Sequence, residues 1–365
     1  MRRILGIALA VLLTGGVIAV IVLGGNAAEG TATKTVRGVI GSEKSEFFRD
    51  PDVVKALADK GYTVKTETSG SWAMDRLALK EFDFAFPSSS EPAQEIEAAA
   101  GVKGAQTAKP FFSPLVVLAR ANAAKVLADN GLVKMNGKNS GTLLTGPYLK
   151  AAGEDRTWQQ LNGSAAYTEL TGTLFIKTTD PAASNSGALF LAATSNVANG
   201  GTVVSDDAGI TRTAPLLRKL IEVQGALETS TDGPFRSFVS GSGEPLVLAY
   251  EAQVASLLMQ KQTNAELGGM VVLYPDTTVN SPHTFVPLND KSGELGTLLA
   301  TDPQLRRLAV RHGFRPQEGV AEFTAATAPY AGYLNPGLTG IRQVGAPTVK
   351  ALMAMAARAK GQGDH

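Results

Sequence analysis

The chain has 365 residues, of which 44% are hydrophobic and 18% are charged, and it contains no cysteine. This length is enough for about two domains with sizeable cores. The absence of cysteine excludes disulfides, thiolate metal sites, thiol nucleophiles and a lipid attached through cysteine. A formal net charge of +1 gives no electrostatic footprint for nucleic acid. Only three histidines are present, so a histidine-rich metal site is excluded, and we expect no cofactor.

The amino terminus carries an export signal. Arg2 and Arg3 precede an uncharged, mostly apolar run over residues 4–23. Basic residues ahead of such a run stay in the cytoplasm and direct the following chain outward. The run matches a bilayer core of about 30 Å, whereas the small residues over 25–28 suit signal peptidase. Residues 1–28 are therefore either a cleaved signal peptide or a retained transmembrane anchor, and residues 29–35 form a flexible linker.

Strand, polar loop and helix alternate three times after the linker. Short β-rich runs are expected over 36–40, 62–66 and 82–86, and each leads into a loop of small polar residues and then a helix. This alternation is typical of an open α/β sheet with parallel strands and helices on both faces. Asp50 before Pro51 predicts one helix start, because Asp caps a helix and Pro suits its first position.

Hydroxyl side chains gather in the three loops, at Ser42, 69–71 and 88–90. Ligands of open α/β sheets lie beyond the carboxyl ends of the strands, where loops lead into helix N-termini. Hydroxyls and unpaired N–H groups of a first helical turn suit an anion or another polar ligand. Serine and glycine are also ordinary residues of caps and turns, so each loop alone has a purely structural alternative.

The second half of the chain predicts a further α/β unit. Strands are expected over 113–119, 173–181, 244–250, 270–274 and 284–288. Two lobes joined by two extended crossings fit these elements. We expect the first part of lobe 1 over 36–114, lobe 2 over 115–270, the return crossing and the rest of lobe 1 over 271–346, and a surface helix with a tail over 347–365.

Several stretches resemble one known family. Residues 177–190 join a strand ending in Asp-Pro to a Ser-rich loop and a helix, and residues 248–253 are similar to a later strand that faces a cleft. Residues 285–288 and 301–315 are similar to a return strand and a terminal helix followed by Gly-Phe. Their order resembles the bacterial extracellular solute-binding proteins of the two-lobed type II class, which includes molybdate- and phosphate-binding receptors. The resemblance implies a periplasmic-binding-protein-like α/β fold with a ligand cleft between the lobes and no catalytic activity.

The resemblance also implies which residues contact the ligand. They are Ser42, Glu43, Lys44, Ser69, Ser71, Ser88 and Ser89 from one lobe, and Ser184, Asn185, Ser186, Gly187, Tyr250 and Glu251 from the other. Two acids depart from the pattern expected for a bare oxyanion, because Glu43 and Glu251 would bring negative charge to the cleft. Lys44 can offset Glu43, and Glu251 has a structural alternative in the first turn of a helix, where it complements the helix dipole.

Catalytic motifs are missing from the sequence. No Gly-x-Ser-x-Gly elbow, P-loop or Gly-x-Gly-x-x-Gly fingerprint occurs. We therefore expect a receptor that closes around a small polar or anionic solute and is read by a membrane partner, either an ABC-type permease or a signalling protein. The alternative is an envelope protein that uses the fold as a protein-interaction module without a transported solute. A polar cleft filled by the protein's own side chains would favour the alternative.

Overall fold

The computed structural model describes residues 33–102, 104–260 and 269–362. The predicted signal peptide or anchor over 1–28, and most of the linker over 29–35, lie outside these residues. No helix within the described ranges is long and apolar enough to cross a membrane. The first described element is a strand that begins at Lys34.

The strands belong to two large sheets and one small one. In chain order they are β1 (Lys34–Ile40), β2 (Tyr62–Thr68), β3 (Phe84–Phe86), β4 (Ala108–Phe112), β5 (Leu115–Arg120), β6 (Val133–Met135), β7 (Ser140–Leu143), β8 (Leu246–Tyr250), β9 (Met270–Pro275), β10 (Thr277–Val279), β11 (Pro282–Pro287), β12 (Arg315–Pro316) and β13 (Arg342–Val344). Lobe 1 contains the sheet β12–β4–β11–β3–β1–β2, lobe 2 contains the sheet β6–β7–β9–β5–β8, and β10 pairs with β13. Both large sheets are mixed. In lobe 1, β1 is parallel to β2 and β3 whereas β11 is antiparallel to β3. In lobe 2, β7 is parallel to β9 whereas β5 is antiparallel to β8 and β9.

Helices cover the sheets. They are α1 (Ser45–Arg49), α2 (Pro51–Asp59), α3 (Ser90–Ala100), α4 (Ala121–Asp129), α5 (Thr145–Gly153), α6 (Asn185–Ala198), α7 (Asp207–Glu222), α8 (Asp232–Val239), α9 (Glu251–Met259), α10 (Leu295–Thr301), α11 (Pro303–Arg311), α12 (Val320–Thr327) and α13 (Val349–Ala359). Helix α2 starts as predicted, with Pro51 at its first position and the N–H of Asp52 donating to Asp50 Oδ1 at 2.8 Å. The two-lobed mixed α/β architecture expected from the sequence is therefore present.

Alternate side chains of β5 point to opposite faces of the lobe 2 sheet. Leu115, Val117 and Ala119 join one apolar cluster, and Val116 and Leu118 join another. Both faces are thus buried under helices, which explains why the strand is apolar at consecutive positions. The core of lobe 1 is instead rich in phenylalanine, and its rings pack against one another between the sheet and α1. These cores fix the strand ends and the loops that follow them.

The chain passes between the lobes at three places, not two. Residues 113–114 and 280–281 make the expected crossings, but β9 and β10 belong with lobe 2, so residues 270–279 are not part of lobe 1. A third crossing follows β12, because Phe323 and Leu334 pack in an apolar cluster of lobe 2. Within the expected range 271–346, only residues 282–316 lie in the sheet and flanking helices of lobe 1.

Three further elements differ from their predictions. The helix expected after Ser71 is a pair of 3-10 turns, Ser71–Arg76 and Leu79–Glu81. The strand expected over 173–181 makes only isolated bridges, at Thr173, Lys177 and Thr179. Helix α13 is not a surface helix, since one of its faces is buried against α6 and α7. The first two predictions were wrong about the local element, and the third was wrong about its burial, because tertiary packing decided each outcome.

Candidate functional site

Loops from both lobes meet at a narrow polar cavity. Lobe 1 contributes the residues that follow β1, β2 and β3, and lobe 2 contributes the start of α6, the end of β8 and the segment before α8. The described lining residues are Gly41, Ser42, Glu43, Ser69, Gly70, Ser71, Ser88, Ser184, Asn185, Thr229, Ser230, Thr231 and Tyr250. The free space among them is about 10 Å³, close to the minimum of about 10–15 Å³ that one water molecule needs.

Hydrogen bonds between the lobes close this narrow cavity. Ser89 Oγ of lobe 1 donates to Asn185 Oδ1 of lobe 2 at 2.8 Å. Within lobe 2, Asn185 Nδ2 in turn donates to Tyr250 OH at 3.1 Å. The backbone N–H of Trp72 donates to the carbonyl of Ala183 at 3.0 Å. The backbones approach so closely at Gly70 that a Cβ there would lie 2.4 Å from that carbonyl oxygen. The lobes are therefore in contact along the polar loops.

A buried ion pair supports the lobe 1 wall. The side chain of Lys44 is fully buried, and its Nζ contacts the carboxylate of Glu43, Ser88 Oγ at 3.2 Å and His283 Nδ1 at 3.3 Å. Ser88 Oγ also donates to Glu43 Oε1 at 2.5 Å. Burial lowers the pKa of Lys44, although Glu43 opposes the shift. Burial, with a smaller effect of Lys44, holds the pKa of His283 well below its ordinary value, so His283 is neutral at pH 7 and its Nδ1 can accept from Lys44.

A much wider cavity adjoins the narrow one and shares Ser42 and Glu43 with it. Its volume is about 570 Å³, within the range of about 300–1,000 Å³ that is typical of small-molecule sites. Lobe 1 contributes Ser42, Glu43, Glu46 and His312, and lobe 2 contributes Asp232, Phe235, Arg236, Val239, Ser240, Ala252, Gln253, Ser256, Leu257 and Gln260. Arg236 links the two sides, since its Nη2 lies 3.1 Å from Glu46 Oε1 and its Nε lies 2.8 Å from Asp232 Oδ2.

The structure brings most of the predicted site residues together. Those that line the narrow cavity are Ser42, Glu43, Ser69, Ser71, Ser88, Ser184, Asn185 and Tyr250. Lys44 and Ser89 are fully buried next to that lining and hold it in place through the contacts with Glu43 and Asn185. Burial, with a smaller effect of Glu43, raises the pKa of Tyr250, so its hydroxyl stays protonated and can donate a hydrogen bond.

Glu251 is a correction to the predicted site. Its carboxylate is fully buried in a bidentate pair with Arg315, whose Nη2 lies 2.8 Å from Glu251 Oε1, and it also accepts a hydrogen bond from Tyr274. Glu251 is among the lining residues of neither cavity. It therefore anchors the start of α9 to β12 and faces neither cavity.

Ser186 and Gly187 are also corrections. Ser186 Oγ lies 2.8 Å from Thr179 Oγ1 and 3.1 Å from Ser184 Oγ, so its hydroxyl is used inside lobe 2. A Cβ at Gly187 would lie 2.3 Å from the carbonyl oxygen of Thr179. This glycine is therefore required for the close packing of α6 against that backbone, and not for contact with a solute.

Several lining residues were missed from the sequence. Thr229, Ser230 and Thr231 precede α8 and complete the lobe 2 wall. They repeat the pattern of small hydroxyl residues before a helix, which is the signal that could have identified them. The apolar and acidic residues of α8 that line the wide cavity carried no such signal. Across the described ranges, no group of three or more His, Asp or Glu side chains is placed to hold a metal ion.

Comparisons with known proteins agree with this architecture. No family model matches the chain, and no curated protein matches it. Among solved structures, the sulfate-binding protein SubI from Mycobacterium tuberculosis H37Rv is similar with a TM-score of 0.54 and 14% identity over 90% of this chain and 96% of that one. The apo ferric ion-binding protein A of Pasteurella haemolytica has a TM-score of 0.57 with 11% identity over 90% and 96%. The periplasmic binding protein AfuA of Actinobacillus pleuropneumoniae, with fructose-6-phosphate bound, has a TM-score of 0.55 with 13% identity over 90% and 97%.

At these identities the likeness concerns the fold. The proteins are matched over nearly their whole length, so the likeness in fold extends over both lobes. The finer resemblance to molybdate- and phosphate-binding receptors stays a prediction. The described chain has the two-lobed α/β fold of the periplasmic solute-binding proteins.

Proposed function

We propose that this protein is an extracytoplasmic receptor, and not an enzyme, that captures a small polar solute between its two lobes. The observation that carries the proposal is the cavity of about 570 Å³ whose wall comes from both lobes. If the lobes separate, that wall is divided, so a solute can contact both sides only in the closed arrangement. The solute would then bind the closed arrangement more tightly than the open one, and this difference in affinity would stabilise closure.

The rest of the proposal concerns partners and location. A membrane partner that recognises the closed arrangement, either an ABC-type permease or a signalling protein, would read the bound state. The basic and apolar residues at the amino terminus support an extracytoplasmic location, as do the periplasmic proteins of the same fold. Sulfate, ferric ion and fructose-6-phosphate are named for the structural neighbours, and each is a small polar solute.

Calorimetry and thermal unfolding of the full chain test the receptor function. The solutes tested are oxyanions, sugars, amino acids and amines. A solute at about 100 times its Kd should raise the free energy of unfolding by about 2.7 kcal/mol. Tyr250→Phe removes a hydroxyl from the narrow cavity and should weaken binding, whereas Tyr148→Phe removes a buried hydroxyl that accepts from Ile176 inside lobe 2 and should change stability alone. Ser42→Ala tests the wide cavity itself, since Ser42 lines both cavities, and it should weaken binding too. Wild-type affinity in Ser42→Ala and in Tyr250→Phe would contradict the proposed site.

A second candidate function has one observation in its favour. The narrow cavity is closed by the protein's own side chains and leaves only about 10 Å³, as expected of a protein-interaction module that uses the fold without a solute. In that case no solute should raise the unfolding temperature, and the closed arrangement should persist in every condition. Small-angle scattering that shows a larger radius of gyration without solute, and a smaller one with it, would exclude this candidate.

A further inference from the structure

The wall of the wide cavity carries an excess of negative charge. Its acidic residues are Glu43, Glu46 and Asp232, and Arg236 is the one Lys or Arg among the described lining residues. Arg236 is already paired with Glu46 and Asp232. Burial lowers the pKa of His312 in spite of the nearby Asp50, so His312 adds no full charge at neutral pH. Lys44 behind the wall offsets the charge of Glu43, which leaves Glu46 and Asp232 against Arg236. A bound anion would therefore still meet more repulsion than attraction.

Glu43 presents a carboxylate oxygen to both cavities. Its side chain is only 4% exposed, and it lies on the wall of both cavities. Its Oε1 accepts from Lys44 and Ser88. Its Oε2 has no hydrogen-bond donor among the residues that the structure describes. Among the described residues, Glu43 has no side-chain oxygen that is both buried and unpaired, so its Oε2 reaches the open space at the junction of the cavities. A carboxylate offers about four acceptor positions, and this oxygen can accept from a donor on a ligand, which an oxyanion does not supply.

The nearest positive charge is turned away from the cavities. Lys44 Nζ is held by Glu43, by Ser88 and by His283 in the interior of lobe 1, and Lys44 lines neither cavity. To contact a solute it would have to leave these partners and pass the carboxylate of Glu43. The lysine is therefore a partner of Glu43 behind the wall and does not reach a solute in either cavity.

The rest of the wide cavity suits an organic body. Phe235, Val239 and Leu257 give it an apolar side, and Gln253 and Gln260 add neutral polar groups. A bare inorganic ion would leave the apolar side without contacts. A chain of several carbon atoms would fill it and gain from removal of apolar surface from water.

We propose that the solute is a small organic cation whose protonated amine binds the free oxygen of Glu43 and whose aliphatic body lies in the wide cavity. The inference rests on the proposed receptor function and narrows it, since it selects a cation over the anions that the fold resemblance also allowed. The ammonium group supplies both the charge and the donor that the wall lacks.

A matched series of probes tests this inference by calorimetry on the full chain. The series is 1,4-diaminobutane, 1,4-butanediol and succinate, which have the same length but are cationic, neutral and anionic. Spermidine, arginine, sulfate, phosphate and glucose extend it. At least one amine should bind, and the diol and the anions should not. Binding of an anion or a sugar without binding of any amine would overturn the inference and leave the receptor function intact, whereas binding of no probe would overturn both.

Variants of Glu43 give the second readout. Glu43→Gln removes the charge and should weaken amine binding about tenfold to a hundredfold. Because this variant leaves Lys44 buried without its counter-charge, the double variant Glu43→Gln with Lys44→Met should be measured too and should show the same loss. Glu67→Gln is the matched control, since it removes a carboxylate of lobe 1 that pairs with Arg37 and lines neither cavity. Equal amine affinity in the wild type and the double variant would refute the assignment of Glu43.

Discussion

Trp72 is the side chain through which lobe 1 enters the core of lobe 2. Its backbone belongs to a 3-10 turn of lobe 1, next to Met74, which packs in the lobe 1 core. Its indole is 4% exposed and packs in an apolar cluster formed otherwise by residues of lobe 2. We predict that Trp72→Ala shifts the protein from the closed to an open arrangement.

The size of the effect follows from the buried area. A tryptophan side chain buries about 150–250 Å², which at about 25 cal/mol per Å² corresponds to about 4–6 kcal/mol. Truncation of a buried tryptophan in other proteins costs about 3–5 kcal/mol. Since the partners of Trp72 are in the other lobe, this free energy should be lost from closure, and the closed-to-open ratio should fall at least about a hundredfold.

Small-angle X-ray scattering of the variant without solute is the direct assay, and we expect a larger radius of gyration than in the wild type. Trp158→Ala is the matched control, because Trp158 is the other tryptophan of the chain and is equally buried, but packs within lobe 2. It should lower the unfolding temperature and leave the radius of gyration of the folded protein unchanged. An unchanged radius in Trp72→Ala, or the same expansion in both variants, would refute the reasoning.

Three further predictions concern stability. Arg315→Met leaves the carboxylate of Glu251 buried without its cation and should lower the free energy of unfolding, measured by urea denaturation, by about 3–5 kcal/mol. The added substitution Glu251→Leu removes the unpaired carboxylate and should restore much of this loss. Equal stability of the single and double variants would contradict the expectation. Because burial holds the pKa of His283 well below its ordinary value, the unfolded chain binds a proton that folded His283 does not, so stability should fall as the pH drops below about 6.5. His283→Gln should flatten that part of the stability profile, and an identical profile would argue against a buried neutral imidazole. Gly187→Ala should destabilise the protein by about 1–3 kcal/mol, whereas Gly146→Ala, where a Cβ meets no atom within 4 Å, should not lower the unfolding temperature.

The sequence predicted those features of the fold that depend on residues close to one another in the chain. Asp50 and Pro51 start α2 because the side chain of Asp50 accepts hydrogen bonds from the first turn and the ring of Pro51 suits the first helical position, and both effects act within one turn. The serines after β1, β2 and β3 lie in one cavity because parallel strands bring their carboxyl ends to one edge of the sheet. The period and order of the elements were therefore enough to predict two α/β lobes and the lobe 1 side of the polar wall, whereas the lobe 2 side was implied by the family resemblance.

Partners that lie far apart in the sequence were not predictable in this way. Glu251 directly follows a strand, which is also where ligand-binding residues of this fold class lie. Only the fold shows that its carboxylate forms an ion pair with Arg315, which is 64 residues away in the sequence. The sequence predicted a surface helix near the carboxyl terminus, and only the fold shows that one face of α13 packs against α7. The wide cavity depends on how α8 lies against lobe 1, which no periodicity encodes.

The late return of the chain to lobe 2 has a consequence for how the protein is made. Lobe 2 is assembled mainly from residues 115–279, but Leu352 and Met355 of α13 fill part of its core. Lobe 1 likewise lacks β11 and β12 until residues beyond 316 have been synthesised. Domains usually fold as units in the order of their synthesis, yet here each lobe waits for segments that leave the ribosome late. The nascent chain therefore keeps apolar surface uncovered through most of translation, and its yield should depend on factors that protect unfolded chains.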